Sequence, residues 1–522
     1  MQSDADTTVP DTSGAGAAVP GTADSHTAML AMNVTNHADA TRQARKVAFQ
    51  TLGCKLNQYE TDALASSFEE RGYSIVDNRE PADCYIINTC TVTNKGDRKS
   101  RNAINRSVRI ADASPVSGGN TPKTDTSTQN PGPGTANGYS EKPLVVVTGC
   151  FAESHRQELE NDSRVVTVGN EQKQSIVELV DAHFAGEYLR PDELPRDVFN
   201  YGIPKQLFHT RSLIKVQDGC DNYCTFCIIP FVRGRARSRP AVDIQDELRR
   251  SIDSGYREIV LTGVNISRWT DGELSFSRLV ESLLETDGDF RLRLSSLEPD
   301  QLDDRFFDLF SHPRMSPHLH LCLQSGSERI LLKMRRQYTA KGYISIARAL
   351  LDRYPDFNLT TDCIVGFPGE TDDEFNETVR ITRDIGFTHI HTFPYSLRSG
   401  TRAERMEGHI SNAVKQERSQ ILREISGHNK AAYHRRMVGK EGRLLVERCE
   451  NGLLHGYTEH YIPVRVPAAG GEAAAGDLTA AGNSTAADDL TTAANRENTF
   501  QRVTLRRSIA DGDNSFVISD PL

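Results

Sequence analysis

The stretch GCDNYCTFC, residues 219–227, places Cys220, Cys224 and Cys227 within eight residues, and we call these three the close triplet. It follows the apolar run Leu213–Gln217, which has the length and composition of a buried β-strand. Zinc is one alternative for such a group of thiolates, but its sites usually have four ligands, and no fourth Cys or His stands near this stretch. An iron–sulfur cluster with three cysteine ligands leaves one iron open to a substrate or cofactor. The spacing therefore favours a cluster.

Leu213–Gln217 is the first of six apolar segments that alternate with helical patterns over residues 206–436. The other five predicted strands are Glu258–Thr262, Arg291–Ser295, His318–Leu323, Leu359–Val365 and Thr388–Phe393. Six strand–helix units favour a parallel (β/α)6 barrel, closed or partial, with the close triplet just after its first strand.

Residues 45–187 also alternate between strands and helices. We predict strands at Lys46–Leu52, Asp83–Asn88 and Leu144–Thr148, and a helix at Tyr59–Arg71. Continuous apolar runs of this kind are typical of a parallel sheet that is covered on both faces. The predicted fold class is therefore α/β, with an N-terminal parallel-sheet domain before the central barrel.

Residues 437–508 change to short segments of alternating polarity. Gly442–Glu447, Gly456–Val466 and Thr499–Arg506 have the pattern of exposed strands, and Ser515–Ile518 is a candidate fourth. This pattern predicts a small antiparallel β-barrel.

Three segments lack apolar periodicity and are expected to be disordered: 1–44, 113–141 and 467–498. The second interrupts the N-terminal domain, and the third interrupts the predicted small barrel. Their charges are −4, −1 and −4, so they carry nine of the ten net negative charges of this 522-residue chain. The remainder is close to neutral, and the acidic total therefore does not exclude nucleic-acid ligands. We also expect a linker at 185–207 and a C-terminal tail at 509–522.

The composition favours a cytoplasmic protein. No apolar run approaches the ~20 residues of a membrane span, and the first 41 residues contain no Lys or Arg, so the basic start of a secretory signal is missing. Cytoplasmic thiols stay reduced. We therefore interpret the ten cysteines as metal ligands, reactive thiols or small core residues rather than as a disulfide framework.

Cys54, Cys90 and Cys150 form a second group, which we call the dispersed triplet. Each stands one or two residues past a predicted strand of the N-terminal domain, and the carboxyl ends of parallel strands meet at one edge of a sheet. Loops at that edge can bring the three thiolates together, although their positions are also compatible with three ordinary loop cysteines. The remaining cysteines are most simply packing residues: Cys84, Cys322, Cys363 and Cys449.

The CxxxCxxC motif after the first strand of such a barrel is the signature of radical S-adenosylmethionine (SAM) enzymes. Over residues 45–508 the chain resembles the radical SAM methylthiotransferases, and its C-terminal barrel resembles a TRAM domain, an RNA-binding module. The N-terminal tail and the two inserts depart from the family pattern without touching a motif. The matching strings are TLGCKLNQYETD (51–62), NTCTVTNKGDRKSR (88–101), TGC (148–150), GCDNYCTFCIIPFVRGRARSRP (219–240), LTGVN (261–265), SSLEP (295–299), LQSGS (323–327) and DCIVGFPGET (362–371).

The resemblance implies two [4Fe–4S] clusters, a catalytic one on the close triplet in a partial (β/α)6 barrel and an auxiliary one on the dispersed triplet. The implied reaction uses two SAM molecules per turnover. One is cleaved to a 5′-deoxyadenosyl radical that removes a substrate hydrogen, and the other methylates the sulfur that is inserted at that carbon. The implied partners are tRNA and an electron donor of flavodoxin or ferredoxin type, and a monomer is the default expectation.

The strings also separate the branches of this family. GCKLNQYETD, TCTVTNKGDRKSR and LTGVN resemble the branch that converts N6-threonylcarbamoyladenosine at position 37, in the tRNA anticodon loop, to its 2-methylthio derivative. The branch acting on isopentenyladenosine in tRNA tends to have GCQMN and LGQN instead. Methylthiolation of a ribosomal-protein aspartate is a rival within the family. A non-enzymatic iron–sulfur or zinc RNA-binding protein is the rival from another class.

Five residues that follow predicted barrel strands are candidate SAM contacts: Gly263, Asn265, Glu298, Gln324 and Gly366. Each would stand at the mouth of the barrel, where such folds bind their ligands. The alternative is that these positions form turns at the rim with no cofactor contact.

Candidate RNA contacts occur in two places. The run VRGRARSRP (232–240) follows the close triplet, and its cations suit an RNA backbone, although a charge run is usually a solvated face. The predicted strand Gly456–Val466 carries two tyrosines that suit stacking on bases, the alternative being an ordinary amphipathic strand. The candidates are Arg233, Arg235, Arg237, Arg239, Tyr457 and Tyr461.

Overall fold

The computed structural model describes residues 44–113, 143–202, 209–468, 497–509 and 516–521. Almost all of the predicted low-complexity sequence lies outside these ranges. Within them, no helix is both long and apolar enough to cross a membrane.

The first sheet consists of five parallel strands, as the sequence predicts in kind. Alternate residues of its central strands enter two separate cores, so that Ile86 packs with Phe68 on one face and Ile87 packs with Ile104 on the other. In spatial order the strands are Ser74–Val76, Lys46–Thr51, Cys84–Thr89, Leu144–Gly149 and Val166–Thr167. The helices of this part are Lys55–Glu70, Asn94–Ala113, Cys150–Ser154, Arg156–Glu160 and Ile176–Ala185. The two outer strands escaped prediction because they are only three and two residues long.

The central part contains six parallel strands that pair in chain order. The third strand is interrupted at Ser295, and among the described residues no pairing joins the first strand to the sixth, so the six do not close. The strands are Arg211–Lys215, Glu258–Thr262, Arg291–Leu294 with Ser296–Leu297, His318–Leu321, Asn358–Val365 and His389–Pro394. The helices are Ile229–Val232, Ala241–Asp253, Phe276–Leu284, Asp304–Asp308, Glu328–Met334, Ala340–Arg353, Asp372–Ile385 and Asn412–Met437. Two short hairpins pair Gln217–Asp218 with Arg237–Ser238 and Thr270–Asp271 with Leu274–Ser275.

The C-terminal part is a closed barrel of five strands, in the order Glu441–Glu450, Leu453–Tyr457, Pro463–Pro467, Phe516–Pro521 and Phe500–Ile509. The strand predicted at Gly456–Val466 is two strands, because the chain turns back around Tyr461, which has φ 58°. One pairing, between Pro463–Pro467 and Phe516–Pro521, is parallel, so the barrel is not wholly antiparallel.

Two predicted boundaries need correction. The small barrel was expected to end at residue 508, with Ser515–Ile518 only a candidate strand in the tail beyond it, but residues 516–521 form a strand that pairs with two others and completes the barrel. The described part of the predicted linker is packed rather than free, since Leu194 is buried in the core of the first sheet and Tyr201 packs edge-to-face on Tyr59 at 5.7 Å. Its apolar residues, rather than its prolines, decide how it packs.

Candidate active site

Backbone contacts pin the loop of the close triplet against the residues that follow it. The Cys220 N–H donates a hydrogen bond of 3.1 Å to the Gly234 carbonyl. Gly219 has φ 70°, and a Cβ there would lie 1.9 Å from the Arg235 carbonyl oxygen, so only glycine fits. The loop is therefore held in a compact turn directly beyond the first barrel strand.

The thiols of the close triplet influence one another's ionisation. Burial, with smaller contributions from Cys224 and Cys220, raises the pKa of Cys227 to about 12. Burial also raises the pKa of Cys220. Such thiols become thiolates when a strong positive charge is placed beside them, and a bound metal centre supplies that charge. The three donors thus suit a metal cluster.

Arg336 links the close triplet to Glu298, one of the candidate SAM contacts. Its Nη1 donates a hydrogen bond of 3.1 Å to the Cys224 Sγ, and its guanidinium forms an ion pair with Glu298. The Arg336 side chain is only 4% exposed. Sequence analysis missed this residue because it follows the fourth barrel strand and no local motif marks it.

The dispersed triplet lies at the carboxyl edge of the first sheet. Cys90 follows the strand Cys84–Thr89, Cys150 begins the helix Cys150–Ser154, and Cys54 directly precedes the helix Lys55–Glu70. Burial raises the pKa of Cys90 to about 11, and the neighbouring Cys150 and Cys54 act in the same direction. Three cysteines from distant parts of the chain therefore lie within electrostatic reach of one another.

Two glycines allow the loops of the dispersed triplet to approach. Gly53 has φ 108°, and a Cβ there would lie 2.8 Å from the Cys90 Cβ. Gly149 has φ 97°, and a Cβ there would lie 2.4 Å from the Thr89 carbonyl oxygen. A side chain at either position would push these loops apart.

Neither triplet has the spacing of a site for a single metal ion. Zinc bonds to sulfur at ~2.3 Å, which brings its sulfur ligands within about 4 Å of one another. Of the described residues, the one group whose three His, Cys, Asp or Glu ligand atoms all lie within 4.8 Å is His320, Cys322 and Asp362. In that group His320 is already partnered by Asp362 at 3.2 Å and Thr360 at 3.0 Å. The wider cysteine triplets fit a cluster of several metal atoms.

A buried cluster of charges joins the first sheet to the six-stranded part. Its two carboxylates, Glu60 and Asp218, and its three cations, Lys173, Lys215 and Arg233, all have side chains no more than 2% exposed. Arg233 Nη1 lies 3.0 Å from Glu60 and 3.1 Å from Asp218. Although burial alone would raise it, the pKa of Glu60 is held well below its ordinary value by Arg233 and the two lysines.

This charge cluster also reaches the dispersed triplet. Arg233 Nη2 donates a hydrogen bond of 2.6 Å to the Asn57 Oδ1. Asn57 is three residues after Cys54, in the first turn of the helix that follows it. Burial raises the pKa of Cys150, and Arg233 is the largest influence opposing that rise. A residue six positions after the close triplet thus acts on the dispersed one.

Two of the four arginines proposed to bind RNA are not available to it. Arg233 is buried as described, and Arg239 is 7% exposed and forms an ion pair with Glu247. Arg235 remains exposed beside Asp221, and Arg237 pairs with Glu171 at 2.9 Å. The run alternates between interior and surface, because its ends enter buried ion pairs contributed by other parts of the chain.

The loop carrying Gly263 and Asn265 is tied to the extension of the first strand, since the Asn265 N–H donates a hydrogen bond of 2.7 Å to the Gln217 Oε1. The Asn265 residue is 3% exposed, and a hydrogen bond from its side chain lowers the pKa of Cys220, against the larger opposing effect of burial. Asn265 therefore links this loop to the close triplet. Gln324, another candidate SAM contact, lies just past the strand His318–Leu321 and has a left-handed backbone with φ 63°.

Gly366 does not offer open space to a ligand. A Cβ at this position would lie 2.4 Å from the Cγ of Lys415, and the Gly366 N–H donates a hydrogen bond of 2.6 Å to Glu370. The space that we expected to admit the cofactor next to this glycine is therefore filled by the Lys415 side chain.

A cavity of about 920 Å³ opens between the three parts of the chain. Cys54 of the dispersed triplet and Gly263 beyond the second barrel strand both line it, as does Tyr461 of the C-terminal barrel. Tyr461 stacks on Tyr457 at 4.6 Å and lies under the guanidinium of Arg293 at 3.9 Å. The two tyrosines proposed to stack on RNA are thus half-buried and face the six-stranded part rather than open solvent.

Two family models match the chain. One, described as the radical SAM superfamily, matches residues 214–381, and the other, described as uncharacterized protein family UPF0004, matches residues 46–119. Among solved structures, the radical SAM methyltransferase TsrM from Kitasatospora setae is 15% identical with a TM-score of 0.48, covering 69% of this chain and 75% of that chain.

Curated relatives match over nearly their whole length. The threonylcarbamoyladenosine tRNA methylthiotransferase MtaB of Aquifex aeolicus is 35% identical over 432 residues, covering 80% of this chain and 96% of that protein. Proteins of the same name from Thermotoga maritima and Bacillus subtilis are each 34% identical, covering 80% of this chain and 90% and 89% of their own lengths. The chain therefore belongs to the family of radical SAM methylthiotransferases that these MtaB proteins represent.

Proposed function

We propose that this protein methylthiolates N6-threonylcarbamoyladenosine at position 37 of tRNA, placing the new group on C2 of the adenine. The names of the curated relatives support the substrate. The structural observation that carries the proposal is the shared cavity, which is large enough for a modified nucleoside. Cys54 of the dispersed triplet lines it, and so does Gly263, which packs against Gln217, three residues before Cys220 of the close triplet.

The close triplet would hold the [4Fe–4S] cluster that the radical SAM family implies, and the dispersed triplet would hold a second one. When bound, the first cluster and SAM supply the radical that activates a carbon–hydrogen bond, with a second SAM as methyl donor. Arg336 donates a hydrogen bond to the Cys224 sulfur, and the buried Asn265 side chain interacts with Cys220. An external donor of flavodoxin or ferredoxin type and a monomeric state complete the proposal.

The five-stranded C-terminal barrel supports RNA binding as a TRAM-like module. It docks against the amino ends of the barrel strands, where Arg291 donates hydrogen bonds of 2.7 Å to the Arg443 carbonyl and 2.9 Å to the Tyr457 carbonyl. Arg448 and Arg502 remain exposed on the barrel. Together with the exposed Arg507 of the same barrel and Arg235 beside the close triplet, they are cations that could contact an RNA backbone.

The decisive experiment is mass analysis of tRNA nucleosides from a strain that lacks this gene. The 2-methylthio form of N6-threonylcarbamoyladenosine should disappear, leaving the unmethylthiolated nucleoside, and the wild-type gene should restore it. If that derivative persists undiminished in the deletion strain, the proposed function is wrong. A loss of the isopentenyl-type methylthio nucleoside, or of methylthiolation on a ribosomal protein, would assign the chain to another branch instead.

A further inference from the structure

Cations outnumber carboxylates on the wall of the shared cavity. Four cationic side chains line it, against two carboxylates, Glu447 and Glu497. The cations are Lys55, Arg211, Arg293 and Arg448. Such a surplus inside a concave site attracts an anionic group more strongly than the same charges would on a flat surface.

Lys55 stands out among these cations. It is the first residue of the helix Lys55–Glu70 and directly follows Cys54 of the dispersed triplet. Its side chain is exposed to the cavity, and within the described residues no carboxylate forms an ion pair with it. A cation that faces a cavity with no partner is free to bind an anionic ligand.

The arginines next to it are positively charged in sum. Glu258, which is buried, is shared by Arg211, Arg291 and Arg293, so that three guanidiniums surround one carboxylate. Arg211 also pairs with Glu447 at 2.5 Å. The Nε of Arg293 is buried without a hydrogen-bond partner among the described residues. Lys55 and Arg293 therefore bring positive charge to the wall of the same cavity.

We propose that Lys55, with Arg293 beside it, binds the carboxylate of the threonyl group on the substrate adenine and so selects an acidic N6 substituent over a neutral one. This inference rests on the proposed function. C6, which carries the substituent, and C2, which is to be modified, are both bonded to N1 of the adenine. Holding the substituent next to Cys54 thus turns C2 toward the dispersed triplet.

The test uses the full chain, reconstituted anaerobically, and two anticodon stem-loops that differ in one group. One carries N6-threonylcarbamoyladenosine, and the other carries the same nucleoside with its carboxylate converted to the carboxamide. Wild-type protein should bind the acid about tenfold or more tightly than the amide, as a charge-assisted contact requires. In Lys55→Gln, which keeps the side-chain length and loses the charge, the acid should bind only as well as the amide, and affinity for the amide should hardly change.

Arg448→Gln is the matched control, because Arg448 lines the same cavity but is 64% exposed. This substitution should lower the affinity for both stem-loops by the same small factor and leave the acid-to-amide affinity ratio unchanged. Iron content of each variant shows whether the cluster next to Lys55 is retained.

Two outcomes overturn the inference. Either wild-type protein binds the acid and amide stem-loops with equal affinity, or Lys55→Gln lowers the affinity for both stem-loops by the same factor. Neither outcome touches the proposed function, which in this experiment fails if wild-type protein forms no methylthio product on the acid stem-loop. If product forms and the acid-to-amide ratio is unaffected by Lys55→Gln, the carboxylate is bound elsewhere.

Discussion

The two cysteine triplets achieve a similar grouping of three thiols by opposite means. The close triplet occupies eight consecutive residues, and backbone contacts of its own loop hold it. The dispersed triplet spans residues 54–150 and depends on the register of three parallel strands and on two glycines where the loops meet. The first arrangement is local and the second is a product of the sheet, so they should fail under different perturbations.

The largest effects should come from removing one ligand of each triplet. Cys224→Ala should abolish SAM cleavage and leave the dispersed triplet loaded, whereas Cys90→Ala should leave cleavage and stop methylthiolation. In each variant the iron content should fall to about half. The measurements are 5′-deoxyadenosine, the methylthio nucleoside and iron on anaerobically reconstituted protein. If the two variants behave alike, the division of labour between the triplets is wrong.

The next largest effects should come from replacing glycine by alanine, which should distinguish the sheet-dependent dispersed triplet from the locally held close triplet. Gly149→Ala would place a Cβ 2.4 Å from the Thr89 carbonyl, and Gly219→Ala would place one 1.9 Å from the Arg235 carbonyl. The left-handed backbone alone costs ~1–2 kcal/mol for alanine. We expect the first variant to lose the dispersed-triplet iron and the second to lose the close-triplet iron, as distinguished by iron analysis in a Cys224→Ala or Cys90→Ala background.

The control for these variants is Gly427→Ala, on an exposed helical surface where a new Cβ meets nothing within 4 Å. It should raise stability by ~0.5–1 kcal/mol and leave both clusters in place. Equal iron loss in all three variants would show that the glycine contacts are irrelevant.

Replacing Arg233 should show how much the buried charge cluster between the two triplets contributes to the stability of the fold. Arg233→Met leaves Glu60 and Asp218 with two lysines, and breaking a buried ion pair costs about 3 kcal/mol. In the folded chain the pKa of Glu60 is depressed below its value of ~4.3 in the unfolded chain. Ionised Glu60 therefore stabilises the fold at any pH above that unfolded pKa, and this stability is lost as the pH falls through the folded pKa. Removing a cation raises the folded pKa, so the deficit should be largest at neutral pH and should shrink on acidification.

Denaturant unfolding at pH 7 and below pH 4 measures this difference. Arg235→Met is the matched control, since Arg235 lies two residues away on the surface and should change stability little at either pH. A deficit that stays constant with pH would mean that Glu60 does not respond to Arg233.

The smallest expected effect is electronic and confined to the close triplet. Arg336→Met removes the hydrogen bond to the Cys224 Sγ, and the loss of a donor to a cluster sulfur lowers the reduction potential. We expect SAM cleavage to slow by roughly tenfold, with no change at the dispersed triplet. A redox titration followed by electron paramagnetic resonance, in a Cys90→Ala background that isolates one cluster, tests this. An unchanged potential would contradict it.

The predictions from sequence succeeded where burial imposes a pattern. All six barrel strands were found within about two residues, as the predicted and observed Glu258–Thr262 illustrate, because each carries apolar side chains at the positions that it buries. The strand Phe516–Pro521 was recognised only as a candidate at Ser515–Ile518 and was left outside the predicted barrel, because a local pattern does not show which strands pair with it. The pattern of the Arg233–Arg239 run did not show that its two ends are buried in ion pairs, because a charge pattern does not reveal where the opposite charges lie.

By itself the sequence determined the α/β strands, the family resemblance and the close triplet, because spacing and apolar periodicity are properties of neighbouring residues. The dispersed triplet was only a candidate until the sheet brought its three cysteines together. Only the tertiary structure decided that Arg233 is buried between the triplets, that Arg336 contacts a cysteine sulfur and that Lys55 faces a shared cavity. Each of these depends on partners far away along the chain. The energy of a charge is set by what surrounds it after folding, and that environment is not written in any local pattern.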